Sequence, residues 1–155
     1  MAIRNMAELG GELPERAALI GLDLGSKTIG VALSDARRTI ASPRETIKRT
    51  KFTADAKILE TLYTAEQAAA FVLGLPVNMD GSEGPACQSA RQFAANLEAR
   101  FECTLAFWDE RLSTVAVTRS MIEADLSRKK RAERVDAAAA AYILQGALDY
   151  LKGRG

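Results

Sequence analysis

Residues 18–35, ALIGLDLGSKTIGVALSD, are the stretch on which the reading of the fold turns. Ala18, Leu19, Ile20, Leu22 and Leu24 read as a short buried strand, and Ile29, Val31, Ala32 and Leu33 as a second one. Gly25-Ser26-Lys27 joins them as a tight hairpin connection, the glycine being expected to supply the positive φ that such turns need. One carboxylate, Asp23, stands inside the first apolar run. Burial strips its hydration, which is costly unless a partner compensates. Two partners suit it: a divalent cation, because carboxylate oxygens are what Mg²⁺ takes from a protein, or the backbone of the turn that follows.

Upstream, residues 1–16 (MAIRNMAELGGELPER) combine Gly-Gly, Pro and mixed charge with little periodicity. They are expected to be a poorly ordered leader to a single domain at 17–152. Downstream, residues 44–51 read as a third, more exposed strand whose Lys48, Arg49 and Lys51 suit a sheet margin. Residues 53–66 suit a helix with Thr53 as N-cap. Residues 69–75 suit a buried strand ended by Pro76, and 76–84 a loop rich in turn formers. Pro85 opens a helix to about residue 100, and 104–108 is a further strand closed by Asp109-Glu110-Arg111. Ser113 caps a helix bearing Val115, Thr118, Met121 and Ile122, and a last helix runs over about 133–151. Strands in a meander, followed by alternating helices and strands, predict a mixed sheet with helices on its faces.

At 155 residues, with 48% hydrophobic and 26% charged content, the chain has the make-up of one globular domain with a real core. No apolar run approaches the ~20 residues of a membrane span, and the start lacks a basic-then-apolar signal pattern, so a cytoplasmic location is expected. Cys87 and Cys103 lack metal-ligand spacing and suit buried thiols in a reducing compartment. A net charge of +1 gives no global attraction to nucleic acid, so any basic footprint must be local. The chain has no histidine, which removes imidazole acid–base chemistry and His-ligated zinc. Polar chemistry then falls to carboxylates, Lys, Arg, hydroxyls and bound metal.

Acids recur at the ends of elements. Asp23 is on the first strand, Asp109 and Glu110 close the strand 104–108, and Asp136 lies in the first turn of the last helix. Singly, each has a structural explanation: a turn hydrogen bond, a salt bridge to Arg111, or an acid complementing a helix dipole. Together they suit a Mg²⁺ site, which draws carboxylates from separate elements and leaves room for phosphate oxygens. Strand alternation allows only one of Asp109 and Glu110 to face such a site. A shared pocket is expected to form with the first strand and the strand 104–108 as neighbours and the last helix starting across their face. Arg128, Lys129, Lys130, Arg131 and Arg134 form a basic run just before Asp136, either a solvated loop or a set of phosphate contacts.

Four blocks, GLDLGSKTIGVALSD, LGLPVNMDGSEGP, WDERLST and RKKRAERVDAAAAAYILQ, resemble in order and spacing the signature blocks of the YqgF/RuvX family. Its members are RNase H-like proteins described as pre-16S rRNA nucleases and, earlier, as Holliday junction resolvases. The resemblance spans residues 18–151. It implies an RNase H-like α/β fold: a five-stranded mixed sheet, its first three strands an antiparallel meander, with helices on both faces. The family's acidic site carries over to Asp23, Glu110 and Asp136 as catalytic residues and ligands of Mg²⁺ or Mn²⁺. Lys27 takes the basic position of the first hairpin, and Arg111, Arg128, Lys129, Lys130 and Arg131 are expected to join it in holding nucleic acid. Ser113 stands where many members have Thr. The function implied is a two-metal-ion nuclease processing the 5′ end of precursor 16S rRNA, alone or on a ribosomal particle, as a monomer or weak homodimer. The alternatives are a resolvase of branched DNA and a non-catalytic RNA-binding module. The hairpin also resembles the phosphate-binding hairpin of actin-like ATPases, which need two such domains around a nucleotide.

Overall fold

In a computed structural model, the hairpin of residues 18–35 lies in the middle of the sheet. The structure describes residues 3–112 and 128–154, with 128–136 and 154 described by their backbone alone. Strand β2 (Leu19–Leu24) pairs antiparallel with β3 (Thr28–Ser34), Asp23 opposite Gly30. The Gly25 N–H donates to the Thr28 carbonyl at 2.8 Å. Contrary to expectation, Gly25 does not adopt a positive φ. A β-carbon there would stand 3.1 Å from the Thr28 carbonyl oxygen, tighter than most such contacts. Strand β4 (Ala41–Lys48) pairs with β3 and forms the sheet edge, where Pro43 costs no ladder bond to a further strand.

On the other side of β2 the strands run parallel: β5 (Ala70–Leu75), then β6 (Leu105–Asp109). Helix α2 (Phe52–Ala65) precedes β5, and α3 (Pro85–Arg100) precedes β6. The N-cap of α2 is Lys51, without a side-chain cap, so Thr53 falls inside the first turn instead of capping it. Pro85 does sit at the start of α3. Helix α4 (Arg128–Arg154) starts ahead of residue 133. The helix expected after Ser113 lies outside the described residues.

Because side chains alternate across a strand, the sheet has two distinct cores. Leu19, Val72, Ala106 and Trp108 point to one face and pack against Ala140, Ile143, Leu144 and Ala147 of α4. Ile20, Leu22, Phe71 and Leu73 point to the other and meet Leu59 of α2 and Phe93 and Leu97 of α3. Helices on both faces are as the sequence implies. Cys87 and Cys103 are both buried and free. Among the described residues no helix is long and apolar enough to cross a membrane.

The leader departs from expectation. Ile3–Arg4 forms a short strand, β1, parallel to β6, so the sheet has six strands in the order β1-β6-β5-β2-β3-β4. Met6–Glu12 forms helix α1. Its N-cap is Asn5, whose side chain accepts the Glu8 N–H at 2.7 Å while the Glu8 carboxylate accepts the Asn5 N–H at 3.3 Å. Met6 and Leu9, one turn apart, are buried in the α4 core. A β-carbon on Gly10 would come within 3.2 Å of the end of the Leu151 side chain. A helix this short carries too few apolar positions to show a period, so tertiary packing decides its order.

Candidate active site

Asp23 leaves β2 on the α4 side of the sheet. Gly21, two residues earlier and on the same face, touches α4 so closely that a β-carbon would lie 2.7 Å from Leu144 Cβ and 2.9 Å from the Ala140 carbonyl. Asp23 is 6% exposed, one of few buried polar side chains among the described residues. The register that sets Leu22 opposite Leu73 places Asp23 level with Gly74 of the neighbouring strand β5. Gly74 in turn pairs with Trp108 of β6.

Strand β5 therefore separates the strands that carry Asp23 and Glu110, which were expected to be neighbours. At about 4.8 Å per strand spacing this puts β2 and β6 nearly 10 Å apart. Glu110 closes the gap. It opens the single 3₁₀ turn Glu110–Leu112 after β6, two residues beyond Trp108 and on the same side. Its Oε2 lies 2.9 Å from where a Gly74 β-carbon would stand, and Ile143 of α4 fills the other flank of the same spot. The missing side chain of Gly74 is thus the space into which the Glu110 carboxylate reaches, over the strand next to Asp23.

Asp109 is engaged elsewhere. Its carboxylate accepts from Arg111 Nε at 3.1 Å and Nη2 at 2.7 Å, and from the Arg111 N–H at 2.9 Å. Hydrogen bonding to the Arg111 side chain holds the Asp109 carboxyl below the usual range. Arg111, expected to hold nucleic acid, is therefore ion-paired, and it also faces the loop after β5. Its Nη1 is 3.8 Å from the β-carbon position of Gly81, whose φ is +89°. That loop is pinned by further contacts. The Asp80 carboxylate accepts from the Ser82 N–H at 2.9 Å and hydroxyl at 2.6 Å, and Arg91 Nε donates to Glu83 at 2.6 Å.

Lys27 is exposed on the turn that follows Asp23. Its carbonyl accepts the Arg49 N–H at 2.9 Å. The Arg49 guanidinium donates to the Gly25 carbonyl at 2.6 Å and lies 5.7 Å from the Phe93 ring. Arg49 thus buttresses the hairpin instead of serving only as an edge charge. Helix α4 crosses the face as expected: Ala140 and Leu144 lie over Gly21, Ile143 over Gly74, and Gly146 against the Trp108 ring. Asp136 is one turn before Ala140 in that helix. Its side chain, and those of Arg128, Lys129, Lys130 and Arg131, lie outside the described residues.

The donor set suits a hard cation. Asp23 and Glu110 offer carboxylate oxygens without a thiolate or imidazole, the chemistry that Mg²⁺ and Mn²⁺ accept, and the Gly74 gap is the cradle that a side chain would fill. Among the described residues alone no group of three or more acids, cysteines or histidines converges on one point. Gly74 and Arg49 are what reading the sequence missed. The signal for Gly74 was a lone glycine inside a buried strand, which marks close approach by another group.

A family profile described as "RuvX: Holliday junction resolvase" matches residues 17–150. A protein of Paramagnetospirillum magneticum named "Putative pre-16S rRNA nuclease" is 60% identical over 153 residues, covering 99% of this chain and 99% of that one. One of the same name from Rhizobium meliloti is 57% identical over 151 residues, covering 97% and 92%. Among solved structures, Thermus thermophilus RuvC in complex with a Holliday junction substrate superposes with a TM-score of 0.54 at 9% identity, covering 88% of this chain and 95% of that one. At that identity the likeness is one of fold.

Proposed function

The chain belongs to the RuvX family, and on that premise we propose that it is a divalent-metal-dependent endonuclease that cleaves precursor 16S rRNA at its 5′ end during ribosome assembly in the cytoplasm. The observation that carries this reading is the Glu110 carboxylate over Gly74, level with Asp23. Asp23 and Glu110 would hold Mg²⁺ or Mn²⁺, and Asp136 would complete the set from α4. When bound, the metal supplies Lewis acidity at the phosphate and a water acidic enough to attack near neutral pH. The protein's own part is positional. Burial between β3, β5 and α4 confines the Asp23 side chain, and the 3₁₀ turn, clamped by Arg111 on Asp109, fixes where Glu110 leaves the sheet. Lys27 and the cations at 128–131 would take phosphates on either side of the scissile bond. With no histidine in the chain, no imidazole serves as general base.

The profile's own description favours junction DNA as a second substrate. Resolution needs two such sites facing one four-way junction, and one copy of this chain supplies one. The deciding test is cleavage of a precursor 16S rRNA fragment and of a four-way DNA junction, each with Mg²⁺, Mn²⁺ or EDTA, beside Asp23→Asn. Metal-dependent RNA cleavage that Asp23→Asn abolishes is expected. Junction cleavage without RNA cleavage would move the assignment to DNA, and cleavage of neither would leave a binding module.

A further inference from the structure

At the end of the molecule away from the β2–β3 turn, a cleft of about 300 Å³ opens between α1, the turn joining β3 to β4, and the last turns of α4. Its floor is apolar, built from Leu13, Leu148 and Leu151, and Arg37 and Lys152 stand on its rim. Among the described residues, no carboxylate lines it.

The turn that presents Arg37 is built, not slack. The Asp35 carboxylate accepts the Thr39 N–H at 2.7 Å and the Ile40 N–H at 2.9 Å. Arg38 has a φ of 56°, in the left-handed region that side-chain-bearing residues avoid. It is held there by its guanidinium, which donates to the Ala17 carbonyl at 2.8 Å and the Pro14 carbonyl at 2.9 Å. Arg38 is thereby committed to the backbone. Arg37 and Lys152 are exposed and make no hydrogen bond or ion pair with a described residue. Asp149, one turn before Lys152, accepts from the Gln145 side chain at 3.0 Å. The fastened turn thus presents Arg37 at a cleft that Lys152 also lines, beside the apolar side chains of Leu13, Leu148 and Leu151.

We infer that this cleft is a second RNA-binding site, in which Arg37 and Lys152 take backbone phosphate and the leucine floor receives a ribose or base. The ligand's identity as RNA rests on the nuclease reading. Charge favours a polyanion, and no strand edge lines the cleft to receive an extended peptide. Helix α4 connects this cleft to Asp136, about 24 Å away along its axis at 1.5 Å per residue. A substrate spanning both ends would be held at a fixed distance from the cleaved bond.

The test is RNA binding by fluorescence anisotropy in EDTA over a series of salt concentrations. It compares the wild type, Arg37→Ala/Lys152→Ala and Lys152→Glu on a single-stranded RNA long enough to span α4. Losing two phosphate contacts should flatten the slope of log K against log salt by about 1.4 and weaken binding roughly tenfold or more. Lys152→Glu should act in the same direction alone. An unchanged slope in both variants, or a wild type that does not bind RNA, would overturn the inference. Loss of binding to a poly-glutamate peptide with RNA binding unaltered would overturn it in favour of a protein partner. Wild-type cleavage with Mn²⁺, assayed in parallel, separates the two readings. Cleavage without a slope difference removes the cleft alone; a slope difference without cleavage removes the nuclease alone.

Discussion

The Oε2 of Glu110 lies 2.9 Å from the point at which a β-carbon on Gly74 would stand. From the turn after β6, Glu110 reaches over β5 toward the level of Asp23 on β2, because β5 has no side chain at that level. The same glycine admits Ile143 of α4, so helix packing and acid placement depend on one missing methyl group.

Gly74→Ala and Gly21→Ala should therefore fail differently. At Gly21 the new methyl would meet Leu144 Cβ and the Ala140 carbonyl, neither of which moves without the helix. At Gly74 it would meet the ends of the Ile143 and Glu110 side chains, which can swing away. Overpacking costs about 1–3 kcal/mol, so Gly21→Ala should lie at the upper end and Gly74→Ala near the lower. Metal-dependent cleavage should fall further in Gly74→Ala, because Glu110 is what yields. Urea unfolding with cleavage assays checks the order; a Gly74→Ala protein with full activity would contradict it.

The leader offers a separate check. Leu9 is 1% exposed, packed into the α4 core. Leu9→Ala should cost about 2–4 kcal/mol in equilibrium unfolding. A leader that only trails from the domain would show no change.

These cases mark what a sequence can disclose. The mixed sheet follows from the order of strands and helices, and the rule that only one of Asp109 and Glu110 can face a shared site follows from strand alternation, which is local. The strand order is not local: nothing in LGLPV says that β5 inserts between β2 and β6. Helix α1 was missed because its order comes from Met6 and Leu9 meeting α4, residues far along the chain. Arg111 was read as a phosphate contact because a lone arginine in a D-E-R block does not reveal whether Asp109 already holds it. The four ordered blocks point to the acids as candidates, and the room beside Gly74 into which Glu110 reaches is not legible in them.

The Asp109–Arg111 pair carries a pH dependence. Hydrogen bonding to Arg111 depresses the folded pKa of Asp109, so its contribution is present above the unfolded value near 3.9 and is lost as pH falls through the folded value. The pair is partly exposed, with a contribution of about 1 kcal/mol or less. Asp109→Asn should be slightly less stable than wild type near pH 7, and the difference should shrink at an acid pH below the unfolded value. Parallel denaturation curves at the two pH values test this. A difference that persists in acid would point to packing instead of charge.

In the proposed reading Glu110 and Asp23, and not Asp109, would hold the metal beside Gly74. Titration of Mn²⁺ into the apo protein, followed by electron paramagnetic resonance of the free ion, measures it without any substrate. Asp23→Asn and Glu110→Gln should each weaken Mn²⁺ binding by at least roughly tenfold, while Asp109→Asn leaves the affinity near that of wild type. Equal affinity in wild type, Asp23→Asn and Glu110→Gln, or a loss confined to Asp109→Asn, would rule out a metal held by Asp23 and Glu110.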